Sequence, residues 1–236
     1  MRVDAHPVDR STAERTLAER YALIAKERSS RTVDAALRVL DILIAVPALL
    51  LSAPLCVLIA LALRISAPRT PSIYRGWRVG RYGHQFQMFK FRTLAVDAEQ
   101  RLGPYLGEEL TLRTSEEVTR LGRMLRSSKL DELPQLLNVL RGEMSLVGPR
   151  PIRPAFFAEL CEEIPQYWQR LVVRPGLTGL AQLRMTRETT WAQKLAHDLE
   201  YIADRSVGLY LAVIVRTVLL LLVRPVNRSG SLHRLP

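Results

Sequence analysis

Residues Val39 to Leu63 read VLDILIAVPALLLSAPLCVLIALAL, an apolar run with a single charged residue, Asp41. A stretch this long meets the ~20-residue requirement for crossing a bilayer as a helix. Two features set it apart from an ordinary span. Pro47 and Pro54 both fall inside it, and each removes a backbone donor and disfavours a straight helix. Both flanks are also basic, with Arg28, Arg31 and Arg38 before the run and Arg64, Arg69, Arg75, Arg78 and Arg81 after it. Cytoplasmic flanks carry the Lys/Arg excess, so a segment basic at both ends fits a helix that enters the membrane and returns to the same face. The helix is expected to break near Ser52 and Pro54, with the Ser52 hydroxyl serving a freed backbone group. A kinked single span is the competing topology. No small-residue cleavage site follows the run, so it does not read as a removed signal peptide.

Working outward, residues 1–33 are polar and alternate in charge, with Leu17, Tyr21 and Ile24 at helical spacing, and carry no functional signal. After the apolar run, Phe86 to Arg92 alternates apolar and polar as a strand does, and Ala95 to Leu106 reads as a helix. Helices are expected from Pro154 to about Glu163 and around Trp191 to Asp204, with a turn at Arg174-Pro175-Gly176. Val207 to Val223 is a second apolar stretch. Arg216 near its middle makes a full span costly and favours an amphipathic helix in the interface.

Composition narrows the partners. The 236 residues hold 34 Lys and Arg against 23 Asp and Glu, a net charge of +11 that favours polyanions: nucleic acid, lipid headgroups or phosphorylated substrates. Arginine dominates, and its planar fork suits phosphate oxygens. No nucleic-acid-binding motif accompanies the charge, so nucleic acid is not an expected partner. Cys56 and Cys161 are the only cysteines and lie in unlike surroundings, while the four histidines are scattered; neither a disulfide nor a structural zinc site is expected.

The chemistry concentrates between Arg126 and Pro151. Leu130, Leu133, Leu136, Leu137 and Leu140 mark one face of a helix that Ser127 or Ser128 can cap, with Pro134 in its first turn. Asp131 and Glu132 then stand at the positive end of a helix dipole. Adjacent carboxylates there can divide two tasks, one attacking and the other holding a divalent cation. Arg126 precedes the pair, and Arg150, its backbone restricted by Pro149 and Pro151, follows it. Lys90 and Arg92 add two cations on the expected strand. Carboxylates bracketed by fixed cations suit phosphate chemistry with a metal, where clamped charge matters more than acid–base groups. A two-carboxylate glycosidase needs its pair facing across a sugar, ~5 Å or more apart, which sequence neighbours at a helix start do not provide.

Four ordered stretches, Lys90 to Leu94, Arg126 to Leu140, Gly142 to Pro151 and Val173 to Gln182, closely resemble the bacterial sugar transferases, the monotopic phosphoglycosyl transferases also called polyprenyl-phosphate glycosylphosphotransferases. The resemblance runs from about Asp34 to the C-terminal region. It implies an α/β, mostly α, monotopic membrane fold divided as 1–33 polar arm, 34–66 re-entrant helix broken at Pro54, and 67–236 catalytic domain with a C-terminal interfacial helix. It places the catalytic domain on the cytoplasmic face of the bacterial inner membrane. It further implies that Asp131 attacks the β-phosphorus of a UDP-sugar, releasing UMP, and that a polyprenyl (undecaprenyl) phosphate then takes the phosphosugar. Such a step opens exopolysaccharide, O-antigen or glycoconjugate synthesis. Asp131 and Glu132 would hold Mg2+, while Lys90, Arg92, Arg126, Arg150 and Arg174 would bind phosphate. Membrane lipid is an implied partner, and a homodimer is an open assembly. The chain departs from the family pattern at Ser52-Ala53-Pro54, where Ser-Pro is usual, at Ala67-Pro68, where Gly-Pro is usual, at Gly76, where Gln is usual, and at Tyr210, where Asp is usual. An inactive relative acting as a membrane scaffold is the alternative that the Gly76 and Tyr210 departures motivate. The pattern matches the short form of the family, without further spans ahead of the catalytic unit.

Overall fold

The computed structural model describes residues 32–95, 98, 114, 116–184 and 189–223. The polar arm lies outside the described residues except for Thr32 and Val33, as does most of the helix expected from Ala95 to Leu106.

The apolar run forms one helix, α1 (Thr32–Ser66), with Pro47 and Pro54 inside it, Asp34 in its first turn and Arg64 in its last, both matched to the helix dipole. Ser52 Oγ donates to the Leu49 carbonyl at 3.3 Å, not to that of Leu50, which loses its donor at Pro54. Among the described residues α1 alone is long and apolar enough to cross a membrane. Its inward positions are Leu37, Asp41, Ala45, Ile59 and Leu63, with half-buried Ala48, Ser52 and Cys56 between them. Steps of three and four residues along the whole length give one continuous face. Val39, Leu43, Leu50, Leu51 and Leu58 on the other sides are exposed. The N-terminal half packs on Met88, Leu136, Val139, Met144 and Tyr210, the C-terminal half on Phe91 and Leu125, and Leu133 packs against both clusters.

A hairpin follows. Strands β1 (Ile73–Val79) and β2 (Gln85–Phe91) pair antiparallel, which sets Tyr74 opposite Lys90 and Arg78 opposite Phe86. The remaining elements are α2 (Arg120–Ser127), α3 (Gln135–Arg141), β3 (Ser145–Val147), α4 (Pro154–Glu163), β4 (Gly176–Thr178), α5 (Leu180–Arg184), α6 (Trp191–Asp204) and α7 (Val207–Val223). The helices expected at 154–163, 191–204 and 207–223 are all present. Thr190 and Gln193 close α6 with a reciprocal capping box. The turn expected at Arg174-Pro175-Gly176 leads directly into β4, which pairs parallel with β3. That three-residue pairing carries no alternating pattern and was not legible in the sequence. A Cβ at Gly176 would sit 2.0 Å from the Gly148 nitrogen, so the two strand ends cross closely enough to require glycine at both positions.

Asn138 of α3 is fully buried and ties the helix to the hairpin. Its Oδ1 accepts from the Phe89 N–H at 2.9 Å, and its Nδ2 donates to the Gln87 carbonyl and to Glu143 Oε2, both at 2.7 Å. A buried amide satisfied in this way specifies how the two elements meet.

Asp41, the one charge in the apolar run, has a structural use. Its Oδ1 accepts from Ser145 Oγ at 2.8 Å, the Leu146 N–H at 2.8 Å and Tyr210 Oη at 2.6 Å. It therefore joins α1, β3 and α7 at one buried point. Tyr210, where the family pattern has Asp, is fully buried in this contact.

Candidate active site

Asp131 and Glu132 lie in a single 3-10 turn, Leu130–Glu132, between α2 and α3. The expected cap is corrected here. Lys129 adopts a left-handed conformation (φ 60°) that ends α2, so Ser127 and Ser128 belong to the preceding helix, and their hydroxyls donate back to the Met124 carbonyl at 2.9 and 2.8 Å. Pro134 precedes α3 and supplies no side-chain cap. The leucine face also differs: Leu136 is buried, but Leu137 points to solvent and Val139 takes the inward position. The two carboxylates still stand just ahead of a helix start, on a tight turn rather than inside a helix.

Cations close around them. Lys90 Nζ donates to Glu132 Oε1 at 2.8 Å, and Arg150 Nη2 reaches the same oxygen at 3.4 Å. Arg126 Nε donates to Thr93 Oγ1 at 2.9 Å, which holds its guanidinium beside Asp131. Arg150 is itself anchored through its carbonyl, which accepts from Arg170 Nη2 at 2.9 Å, while Arg170 is buried against Asp198 at 2.8 Å. Lys90, Arg126, Asp131, Glu132 and Arg150 line a cleft of about 340 Å³. Arg92 lines it too, with its Nε engaged by the Pro71 carbonyl at 3.0 Å.

Arg174 is not among the lining residues. It faces a second pocket, and its Nε donates to the Gly142 carbonyl at 2.8 Å. Sequence reasoning had missed Arg78, Lys129 and Arg153, which also line the cleft, as does Tyr74. Arg78 was findable: pairing Phe86 to Arg92 with a strand before it puts Tyr74 and Arg78 on the Lys90 face.

The two carboxylates have opposite electrostatics. Burial raises Glu132, but Lys90 and Arg150 outweigh it and bring its pKa down to about 2. Burial also raises Asp131, and there Lys90 offsets it only in part while the Glu132 charge adds to the rise. Asp131 Oδ1 is buried and has no hydrogen-bond partner. Neighbouring acids driven apart in this manner mark different roles, one a fixed anion and the other a more basic, more nucleophilic carboxylate.

Among the described residues no cluster of three His, Cys, Asp or Glu side chains forms a self-sufficient metal site. The chemistry of two carboxylates, one with an unpartnered oxygen, would fit a cation held mainly by substrate phosphates and water, as Mg2+ is.

Residues 32–224 match the family model described as bacterial sugar transferase. The chain belongs to the bacterial sugar transferase family. Among its curated relatives, it is 44% identical over 191 residues to the UDP-glucose:undecaprenyl-phosphate glucose-1-phosphate transferase of Caulobacter vibrioides, covering 79% of this chain and 69% of that one. It is 37% identical over 195 residues to the exopolysaccharide production protein PSS of Rhizobium leguminosarum bv. phaseoli, covering 79% of this chain and 95% of that one. It is 36% identical over 184 residues to the UDP-N-acetylgalactosamine-undecaprenyl-phosphate N-acetylgalactosaminephosphotransferase of Aeromonas hydrophila, covering 77% of this chain and 42% of that one. The match to the transferase family thus takes in α1, the cleft and α7 together.

Proposed function

We propose that the protein transfers a phosphosugar from a UDP-sugar to a polyprenyl phosphate such as undecaprenyl phosphate, through a covalent phosphosugar on Asp131. The observation that carries this reading is Asp131, a carboxylate with a buried, unpartnered Oδ1, on the wall of a cation-lined cleft. An Asp131 oxygen attacks the β-phosphorus; the new O–P bond forms as the P–O bond to UMP breaks, and UMP leaves with the electron pair. A phosphate oxygen of the polyprenyl phosphate then attacks the same phosphorus and the aspartyl O–P bond breaks, restoring the carboxylate. Neither step needs a general base, so the chain's task is to hold charge in place. Lys90 and Arg150 fix Glu132 as an anion, and Arg126, Arg150 and Arg78 face the diphosphate. Asp131 and Glu132 would hold Mg2+ together with the diphosphate oxygens, and the cation would supply charge neutralisation at the phosphorus. The test is UMP release from a panel of UDP-sugars with Mg2+ and undecaprenyl phosphate; turnover that depends on the lipid names the sugar, and none with any sugar favours the scaffold reading. The relatives use different sugars by name, so the panel includes UDP-glucose, UDP-galactose and UDP-N-acetylgalactosamine.

The pH dependence follows from the Asp131 environment. In the metal-free protein burial holds the Asp131 carboxyl above the ~3.9 of a free aspartate, and titration of that carboxyl followed by NMR checks it. A value at or below that of a free aspartate in the metal-free protein contradicts this reading of its environment. For stability the two acids act with opposite sign. Glu132, lowered on folding, contributes stability above its unfolded pKa of about 4.5 and loses it as pH falls towards about 2. Asp131, raised on folding, costs stability once it ionises and relieves that cost as pH falls through its folded pKa.

The same reading makes α1 re-entrant, with the catalytic domain on the cytoplasmic face of the inner membrane. A helix crossing the bilayer along its normal leaves its domain at one end. Contact of α1 with the domain at Leu37 and again at Leu63, and Leu133 touching both packing clusters, support a helix that returns. Single cysteines introduced in place of Ala36 and Ser66, in a Cys56→Ser, Cys161→Ser background, should react with an impermeant maleimide from the same side of sealed vesicles. Labelling from opposite sides points to a kinked span.

A further inference from the structure

A second pocket, sharing no lining residue with the Asp131 cleft, is ringed by Arg38, Arg81, Arg174 and Arg205 with Asp34 and Asp41. Four guanidinium groups against two carboxylates leave two positive charges in excess. The acids are already committed. Asp34 is held in two-point contact by Arg205 at 2.6 and 3.1 Å, and Asp41 Oδ1 takes its three buried donors. Arg38 is spent on the C-terminal carbonyls of α3, donating to Val139 at 2.6 Å and Leu140 at 2.8 Å. Arg81 and Arg174 each hydrogen-bond through Nε alone, to the Val172 carbonyl at 3.1 Å and the Gly142 carbonyl at 2.8 Å, and the Arg81 guanidinium also lies over the Tyr82 ring, 4.5 Å from its centroid. Their terminal nitrogens have no hydrogen-bond partner among the described residues. Burial, followed by the charges of Arg81 and Arg38, disfavours the Arg174 cation, so these groups are held together against their mutual repulsion. An anion with several oxygens is what such forks match.

Position decides which anion. Asp34, Leu37, Arg38 and Asp41 occupy the first turns of α1, where exposed Val39, Ile42 and Leu43 begin its apolar surface. Arg205 stands two residues before α7, whose exposed Val207, Leu211 and Val215 begin a second one. The pocket therefore sits at the polar rim of two apolar helices, the level at which lipid phosphates lie if those helices enter a membrane. We propose that Arg81 and Arg174 bind the phosphate of an anionic membrane phospholipid, and so fix the depth and tilt at which the domain rests on the bilayer. This rests on the membrane placement given under the proposed function.

The test uses the full chain purified in an uncharged detergent, with retained phosphatidylglycerol counted by native mass spectrometry. The wild type should hold one such lipid, and Arg81→Gln should weaken it about tenfold, the loss of one charge-assisted contact. Arg81→Lys keeps the charge without the fork and should fall between the two. Arg123→Gln removes the same charge from an exposed position on α2 and should change nothing. Equal loss in Arg81→Gln and Arg123→Gln would overturn the site. Displacement of the lipid by inorganic phosphate at equal concentration would overturn the lipid as its ligand. Sedimentation with uncharged phosphatidylcholine vesicles separates the two readings: Arg81→Gln should still bind them through α1 and α7, whereas a wild type that binds no vesicle contradicts the membrane placement itself.

Discussion

Replacing Asp131 with Asn should lower UMP release by about 10⁴-fold or more, the scale seen when a covalent nucleophile is lost, while leaving the fold intact. The substitution is close to isosteric. It removes the attacking charge and adds an amide N–H₂ where the structure has an unpartnered, buried oxygen. Because Asp131 is buried at a cost to its ionised form, folding should not suffer from the loss of that charge. Thermal unfolding unchanged or raised, with turnover abolished, is the expected pair of results. Glu132 responds in the opposite manner. Glu132→Gln leaves Lys90 and Arg150 without their anion, so it should lower stability as well as rate. Retained turnover in Asp131→Asn would remove the nucleophile from the account.

The largest structural effect is expected far from the cleft, at Asp41. Truncation to Ala leaves the Ser145 hydroxyl, the Leu146 N–H and the Tyr210 hydroxyl unpaired in a buried site. Three stranded donors cost about 3–5 kcal/mol, a fall in melting temperature on the order of 10 °C for a chain of this size. Asp41→Asn keeps one accepting oxygen and should recover most of the loss. Tyr210→Phe removes a single donor and should cost about 1 kcal/mol. Melting curves in detergent check the series, and equal stability of Asp41→Ala and wild type would contradict the docking of α1 on β3 and α7 through this residue.

Asp41 also marks the limit of reading the sequence. It was visible there only as an exception in an apolar run, because its partners are 104, 105 and 169 residues away. Elements with a strong period were legible: α1 from its length, β2 from alternation, α6 and α7 nearly to the residue. The pairing of β3 with β4 was not, since three-residue strands are too short to show alternation and β3 is buried on both faces. At the site, Asp131, Glu132, Lys90, Arg126 and Arg150 were named from neighbouring charges and prolines, and the fold gathers them. Arg174 was grouped with them only through the family resemblance, and its contact with the Gly142 carbonyl holds it at the other pocket. Charge pattern alone cannot tell two arginine-lined pockets apart; that distinction comes from the long-range contacts that place each arginine. The Ser127–Ser128 cap failed for a local reason, the left-handed Lys129 that ends one helix before the next begins. Of the departures from the family pattern, Tyr210 proves to be a buried partner of Asp41, remote from the cleft lining. Gly76 stays beside the cleft, between Tyr74 and Arg78: a Cβ there would lie 2.6 Å from Tyr74 Oη and 2.9 Å from Arg78 Nη1.

The most direct measurement of the central claim is the intact mass of the protein after mixing with a turned-over UDP-sugar and Mg2+ in the absence of any polyprenyl phosphate. The account predicts a gain of one phosphosugar, matched by one equivalent of UMP and located on Asp131 by peptide mapping, that disappears when undecaprenyl phosphate is added. UMP formation only when both substrates are present, with no adduct at any time, would contradict it and point to direct transfer between the two.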